Sequence, residues 1–238
     1  IGGFLYLSRI SFSGFSSTLN YRSAFLIGKY NDNTAFEFWK YIRRKTIYIA
    51  LIVTLIWLAL TPFLKEFFKS DEVFPFILFA GVWLVGFTAA VDKGFLLGKL
   101  MLVIFASLLL IEPVIKFISA VIFINLGQPH NVYLSIPLSI IGAFIFGWIF
   151  LILKKPAKQK FNKSESRIFP KKYFLASVIS GLTTTLFLSL DIVLAKHYLS
   201  SIDAGKYALI SLVGKMIYFQ GSITNQFLAP TVSRNEGA

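Results

Sequence analysis

Arg9, Glu112, Lys116, Asp191 and Lys215 are charged residues set inside or beside runs that are otherwise apolar. In such surroundings a base can hold an anion such as a phosphate through charge-assisted hydrogen bonds, and a carboxylate can take up a proton or cation or organise a gate. Both are costly to bury, so they usually face a bundle interior or a water-filled cavity. Helical phase supports that placement. At 100° per residue, Arg9, Ser13, Ser16 and Asn20 fall on one stripe at offsets 0, +4, +7 and +11. Lys215, Ser222 and Gln226 repeat the order base, serine, amide at offsets 0, +7 and +11. Two such helices would be symmetry mates across a central cavity in a transporter built from repeated halves. Ser177, Ser180, Thr184 and Asp191 make a third stripe.

The expected cavity residues are therefore Arg9, Ser16, Asn20, Lys116, Lys215, Ser222 and Gln226, with Asp191 and Glu112 as coupling or gating groups. Asp191 has no base three or four residues away, and hydration near the outer boundary would equally explain it. Counting rise per residue puts Asp191 and Lys215 about 8 to 12 Å apart in depth, too far for a direct ion pair. Glu112 and Lys116 are spaced i,i+4 and are expected to pair with each other, either as bundle packing or in ligand or proton handling. Lys196 reads as a solvated or snorkelling side chain.

Enzymatic chemistry finds no support. The chain has no cysteine and two isolated histidines, His130 and His197, and lacks GxSxG, HExxH and a glycine-rich phosphate loop. No catalytic residue, metal or cofactor is expected. The net charge of +13 does not indicate nucleic acid, because the bases cluster in short gaps between apolar runs.

These residues must be positioned by membrane helices. Of the 238 residues 56% are hydrophobic, and the mean hydropathy is +0.71, more apolar surface than one water-soluble core hides. Runs long enough to cross a bilayer fall near 46–64, 73–91, 100–124, 132–153, 173–195 and 207–229. The Ser-rich opening segment reads as a truncated seventh helix, and the whole as a fragment of a longer protein. Seventeen of the Lys and Arg residues lie in the gaps 21–45, 92–99, 154–172 and the tail, against four in the alternate gaps. That bias makes the first set cytoplasmic. The linker KKPAKQKFNKSESRIFPKK, bracketed by Pro156 and Pro170, divides the chain into residues 1–153, a basic linker at 154–172, and residues 173–238. Residues 34–45, TAFEFWKYIRRK, read as an interfacial helix or an ordinary connector with anchoring aromatics.

From residue 173 the sequence YFLASVISGLTTTLFLSLDIVLAKHYLSSIDAGKYALISLVGKMIYF resembles the start of the second lobe of bacterial polysaccharide and O-antigen flippases. These belong to the multidrug/oligosaccharidyl-lipid/polysaccharide exporter superfamily. The resemblance rests on Asp191 to Ser200, on Asp203-Ala204-Gly205-Lys206-Tyr207 and on Gly214-Lys215. It rests also on a DKGFLLGK connector, with Lys93 where the family often has Arg, and on a span containing Glu-x-x-x-Lys. It implies an all-α polytopic fold of which about seven of twelve to fourteen helices are present, spans two to six and then seven and eight by the family's count. It implies residence in the bacterial cytoplasmic membrane and partners among membrane lipids, polysaccharide-assembly enzymes and the substrate, an undecaprenyl-pyrophosphate-linked oligosaccharide moved by alternating access. A cation-coupled multidrug exporter, a membrane glycan polymerase or glycosyltransferase, and a structural subunit are the other readings.

Overall fold

A computed structural model describes residues 2–67, 73–156 and 160–237. Seven α-helices carry the described residues: α1 (Gly2–Lys29), α2 (Asp32–Phe67), α3 (Phe74–Gly98), α4 (Leu102–Asn125), α5 (Ser135–Leu153), α6 (Lys171–Tyr198) and α7 (Ser201–Gly237). Single 3-10 segments precede α5 (Pro129–Leu134) and α6 (Glu165–Arg167). Five segments are long and apolar enough to cross a membrane: Asp32–Glu66, Phe76–Gly98, Leu102–Asn125, Asn131–Leu153 and Glu165–Ile192. The protein is an all-helical membrane protein. The two expected end spans are both helical, as α1 and α7, though neither is among those five.

Local signals set the helix ends. Asn31 caps α2, its Oδ1 accepting from the Thr34 amide at 2.9 Å. Pro75 opens α3 in its first turn, where no hydrogen bond is lost. At the end of α4 Gly127 takes a left-handed φ of 70°, and the Gln128 amide reaches back to the Phe123 carbonyl at 3.0 Å. The end of α3 closes in the same way with a non-glycine residue, Leu100 at φ 59°, while Met101 donates to the Leu96 carbonyl at 3.0 Å.

Two corrections to the expected organisation follow. Residues 34–45 are neither a separate interfacial helix nor a connector. They are the first turns of α2, whose 36 residues span about 54 Å against a hydrocarbon core of roughly 30 Å. The aromatic face of this extension is covered by protein: Phe36, Phe38, Trp39 and Ile42 are buried against Leu19 and Leu26 of α1 and Val91, Phe95 and Leu96 of α3. Trp39 stacks on Phe95 with centroids 5.4 Å apart. The DKGFLLGK stretch, expected as a connector, is the last part of α3. Its apolar and small residues pack: a methyl at Gly94 would overlap the Ser16 carbonyl of α1, and one at Gly98 would approach the Asn20 carbonyl to 2.7 Å. The two glycines, four apart, let the backbones of α1 and α3 touch, as small residues do between membrane helices.

A second apolar layer, nearer the opposite end, is built from Ala50, Phe79, Val82, Trp83 and Phe87, with Phe12 and Phe15 of α1 packed on it. α1 is the shared element. One flank lies on α2 and α3, the other on α6 and α7, and α4 packs beyond it against α5 and α3.

Candidate functional site

The polar stripe on α6 meets α1 in a groove of about 530 Å³, lined by Ser13 and Ser17 from α1 and by Tyr173, Ser177, Ser180, Thr184 and Thr185 from α6, with Ala176 and Gly181 between them. Six hydroxyl side chains besides the tyrosine thus face one space. Each can donate and accept a hydrogen bond, which suits a ligand made of hydroxyls and ring oxygens. The helices approach closely beside it, because Gly14 leaves room for Val178. Toward the linker the groove reaches Tyr173, on whose ring Tyr21 of α1 stacks with centroids 4.3 Å apart.

Only part of the expected α1 stripe reaches this groove. Ser13 does; Ser16 and Asn20 lie on the flank that meets α3. The stripe from Arg9 to Asn20 covers about 60° of the helix, with Ser13 at its α6 edge and Ser16 at the other. The boundary between neighbouring helices runs through it. Ser17, one residue past Ser16, supplies the second hydroxyl. Asn20 is buried, and its Oδ1 has no hydrogen-bond partner among the described residues. The side chains of Arg9, Ser222 and Gln226, as of Lys196, His130 and His197, lie outside those described.

Two turns beyond Thr184 on α6, Asp191 accepts from Ser211 Oγ at 2.6 Å and from Lys215 Nζ at 3.1 Å. The expected separation of Asp191 and Lys215 is overturned: they form an ion pair. Side chains lean toward the N-terminus of their own helix. In an antiparallel hairpin, residues of the first helix therefore lean away from the turn and residues of the second toward it. The offset in depth closes.

The same geometry corrects Glu112. Its carboxylate accepts from Lys93 Nζ of α3 at 2.6 Å instead of pairing with Lys116 one turn along α4. Lys93 leans away from the α3–α4 turn and Glu112 toward it, so they meet across the hairpin. Lys116 is exposed beside Val114, Phe117 and Ile118. α4 packs on α5 and α3, so Lys116 is not brought to Lys215.

Sequence reasoning missed the ion pairs that knit the linker end. Asp92 of α3 is buried; it accepts from Trp39 Nε1 at 2.8 Å and pairs with Arg43 Nε at 3.2 Å. The Arg43 guanidinium also lies 5.6 Å from the Phe144 ring and 5.9 Å from that of Trp148, both on α5. Lys99 pairs with Asp32 at 3.1 Å. Arg22 of α1 reaches Glu165 in the linker at 2.6 Å. Further contacts dock the linker: the Asn162 amide donates to Thr34 Oγ1 and Asn31 Nδ2 to the Lys160 carbonyl. A lone aspartate near the end of an apolar run, two helical lengths from an aromatic and arginine-rich stretch, was the available signal for Asp92–Arg43.

No group of three or more His, Cys, Asp or Glu residues that could hold a metal occurs among the described residues. No family model matches the chain, and neither a curated protein nor a solved structure is similar to it.

Proposed function

We propose that the chain belongs to a transporter that moves a lipid-linked oligosaccharide of the undecaprenyl-pyrophosphate type from the inner to the outer leaflet of the bacterial cytoplasmic membrane by alternating access. The observation that carries this reading is the hydroxyl-lined groove between α1 and α6, the second of them long and apolar enough to cross a membrane. Serine and threonine hydroxyls offer a sugar chain interchangeable hydrogen bonds without the cost of an unpaired charge. The head-group pyrophosphate would be drawn by Lys215, which must then exchange the Asp191 carboxylate for phosphate oxygens; Arg9 and Lys116 remain further bases for the same anion at other stages. Polysaccharide-assembly enzymes would deliver and receive the substrate.

The test is glycan export by the full-length protein in cells. Replacing Ser180 and Thr184 together by Val removes two hydrogen-bonding groups of about 1 kcal/mol each, so export should fall by roughly ten- to thirtyfold with membrane expression intact. Lys215→Ala should block export likewise. Normal export by both would remove the groove and the head-group role together. The reading also requires the linker to be cytoplasmic: in intact cells an impermeant thiol reagent should label Ser201→Cys and spare Ser164→Cys. The opposite pattern would invert the topology.

A second reading, a cation-coupled exporter of drugs, is favoured by one observation, the carboxylate of Asp191 at the end of the groove stripe. Efflux of a cationic dye that is lost in Asp191→Asn, with glycan export unaffected, would select it.

A further inference from the structure

A separate basic pocket lies at the linker end, between the first turns of α2 and the returning linker. It has a volume of about 220 Å³, and its charged lining is Lys40 and Arg44 from α2, Lys163 and Arg167 from the linker, and the single acid Glu37. Glu37 is already engaged by Lys40 at 2.7 Å. Among the described residues Arg44, Lys163 and Arg167 have no acidic partner. The pocket is built rather than accidental, since the Arg22–Glu165 pair ties the linker to α1 and the Asn162–Thr34 hydrogen bond ties it to α2.

The same face of α2 then changes character. Glu37, Lys40, Tyr41 and Arg44 are spaced 0, +3, +4 and +7, and the stripe continues through Tyr48, Leu51, Ile52 and Leu55, all exposed. An anion seated on the bases would have an apolar wall directly above it on the membrane side. Bases beneath and bare hydrocarbon-compatible surface above match one ligand class, a phosphate ester carrying acyl chains. Basic pockets on the cytoplasmic side of membrane helices bind such head groups.

We propose that this pocket holds the phosphate head group of an anionic phospholipid, with its acyl chains along Tyr48 to Leu55. Bound lipid would tie the linker to α2 and to the leaflet. This site is independent of the groove and of the transport reading.

The experiment is native mass spectrometry of the full chain purified from mixed vesicles of phosphatidylglycerol and phosphatidylcholine. The unaltered protein should retain phosphatidylglycerol over phosphatidylcholine, and retention should persist in millimolar inorganic phosphate. The variant R44Q/R167Q should reduce phosphatidylglycerol retention by roughly thirtyfold, from about fivefold for each base removed. A control of equal charge loss outside the pocket, K154Q/K155Q, should retain the lipid. Equal losses in the two variants would reduce the site to diffuse surface charge and overturn the proposal. So would equal retention of the two lipids by the unaltered protein, an outcome that needs no variant to fold. Displacement of all lipid by inorganic phosphate would make it a free-phosphate site and likewise overturn the lipid assignment.

Discussion

Two hairpins of this protein carry the same chemistry, an aspartate paired with a base across consecutive helices, and use it differently. Between α2 and α3, Asp92 has 4% of its side chain exposed and Arg43 20%. Their pair is shared with an indole donor and walled by aromatic rings. Between α6 and α7, Asp191 has 30% of its side chain exposed, and its other partner is a serine hydroxyl. The first pair cannot be opened without leaving a charge stranded in a packed interior. In the second, Lys215 is 14% exposed, so the opening is on the carboxylate side, where Asp191 can exchange partners with water or a ligand. Ion pairing alone therefore does not mark a site; its surroundings separate a fastening from a contact that can be released.

The largest expected effect tests that difference directly. Asp92→Ala should destabilise the protein by about 3 kcal/mol or more, since it strands Arg43 and leaves the Trp39 indole without its acceptor, whereas Asp191→Ala should cost less, about 1 to 2 kcal/mol, because the space it leaves beside Lys215 is open on the carboxylate side. Thermal unfolding in detergent reads both, and equal losses would erase the distinction. Glycine substitutions sharpen the comparison with opposite signs. Gly94→Ala should destabilise by about 1 to 3 kcal/mol, because the methyl meets the α1 backbone, which has no flexible side chain to move aside. Gly214→Ala, with nothing within 4 Å, should stabilise by about 0.5 to 1 kcal/mol through helix propensity. The smallest effect concerns Glu112. A double-mutant cycle should find a coupling of about 0.6 kcal/mol between Glu112 and Lys93 and none between Glu112 and Lys116.

Much of the helical layout is legible in the sequence, because apolar run length and the punctuation of Pro75, Pro129 and Gly127 are local properties. The hydroxyl stripe of α6 is legible for the same reason: Ser177, Ser180 and Thr184 need only helical periodicity to share a face. What escapes is whatever depends on a neighbour. The buried aromatic face of residues 34–45 looks interfacial until α1 and α3 cover it, and Ser16 parts from Ser13 because a helix boundary divides their stripe. Lys215 finds a carboxylate that counting along the axis placed at another depth, since the count follows Cα positions and omits the tilt of the side chains, and Glu112 finds Lys93 on α3, which spacing along its own helix does not reveal. Asp92 was hidden in a stretch read as a loop, where a charge asks for no explanation.

The glycines of α3 determine where relative movement is available. Contact between the backbones of α1 and α3 at Gly94 and Gly98 leaves no side chain to rearrange at those two points, so the helices are held tightly there. Across α1 the other seam is different in kind: the groove interrupts it at mid-height, while near the linker it is held by the Tyr21–Tyr173 stack and by Gly237 of α7 against the Phe25 carbonyl. The α1–α6 seam is therefore packed closely beside the linker and gives way to a polar groove along its length, where the α1–α3 seam is backbone against backbone.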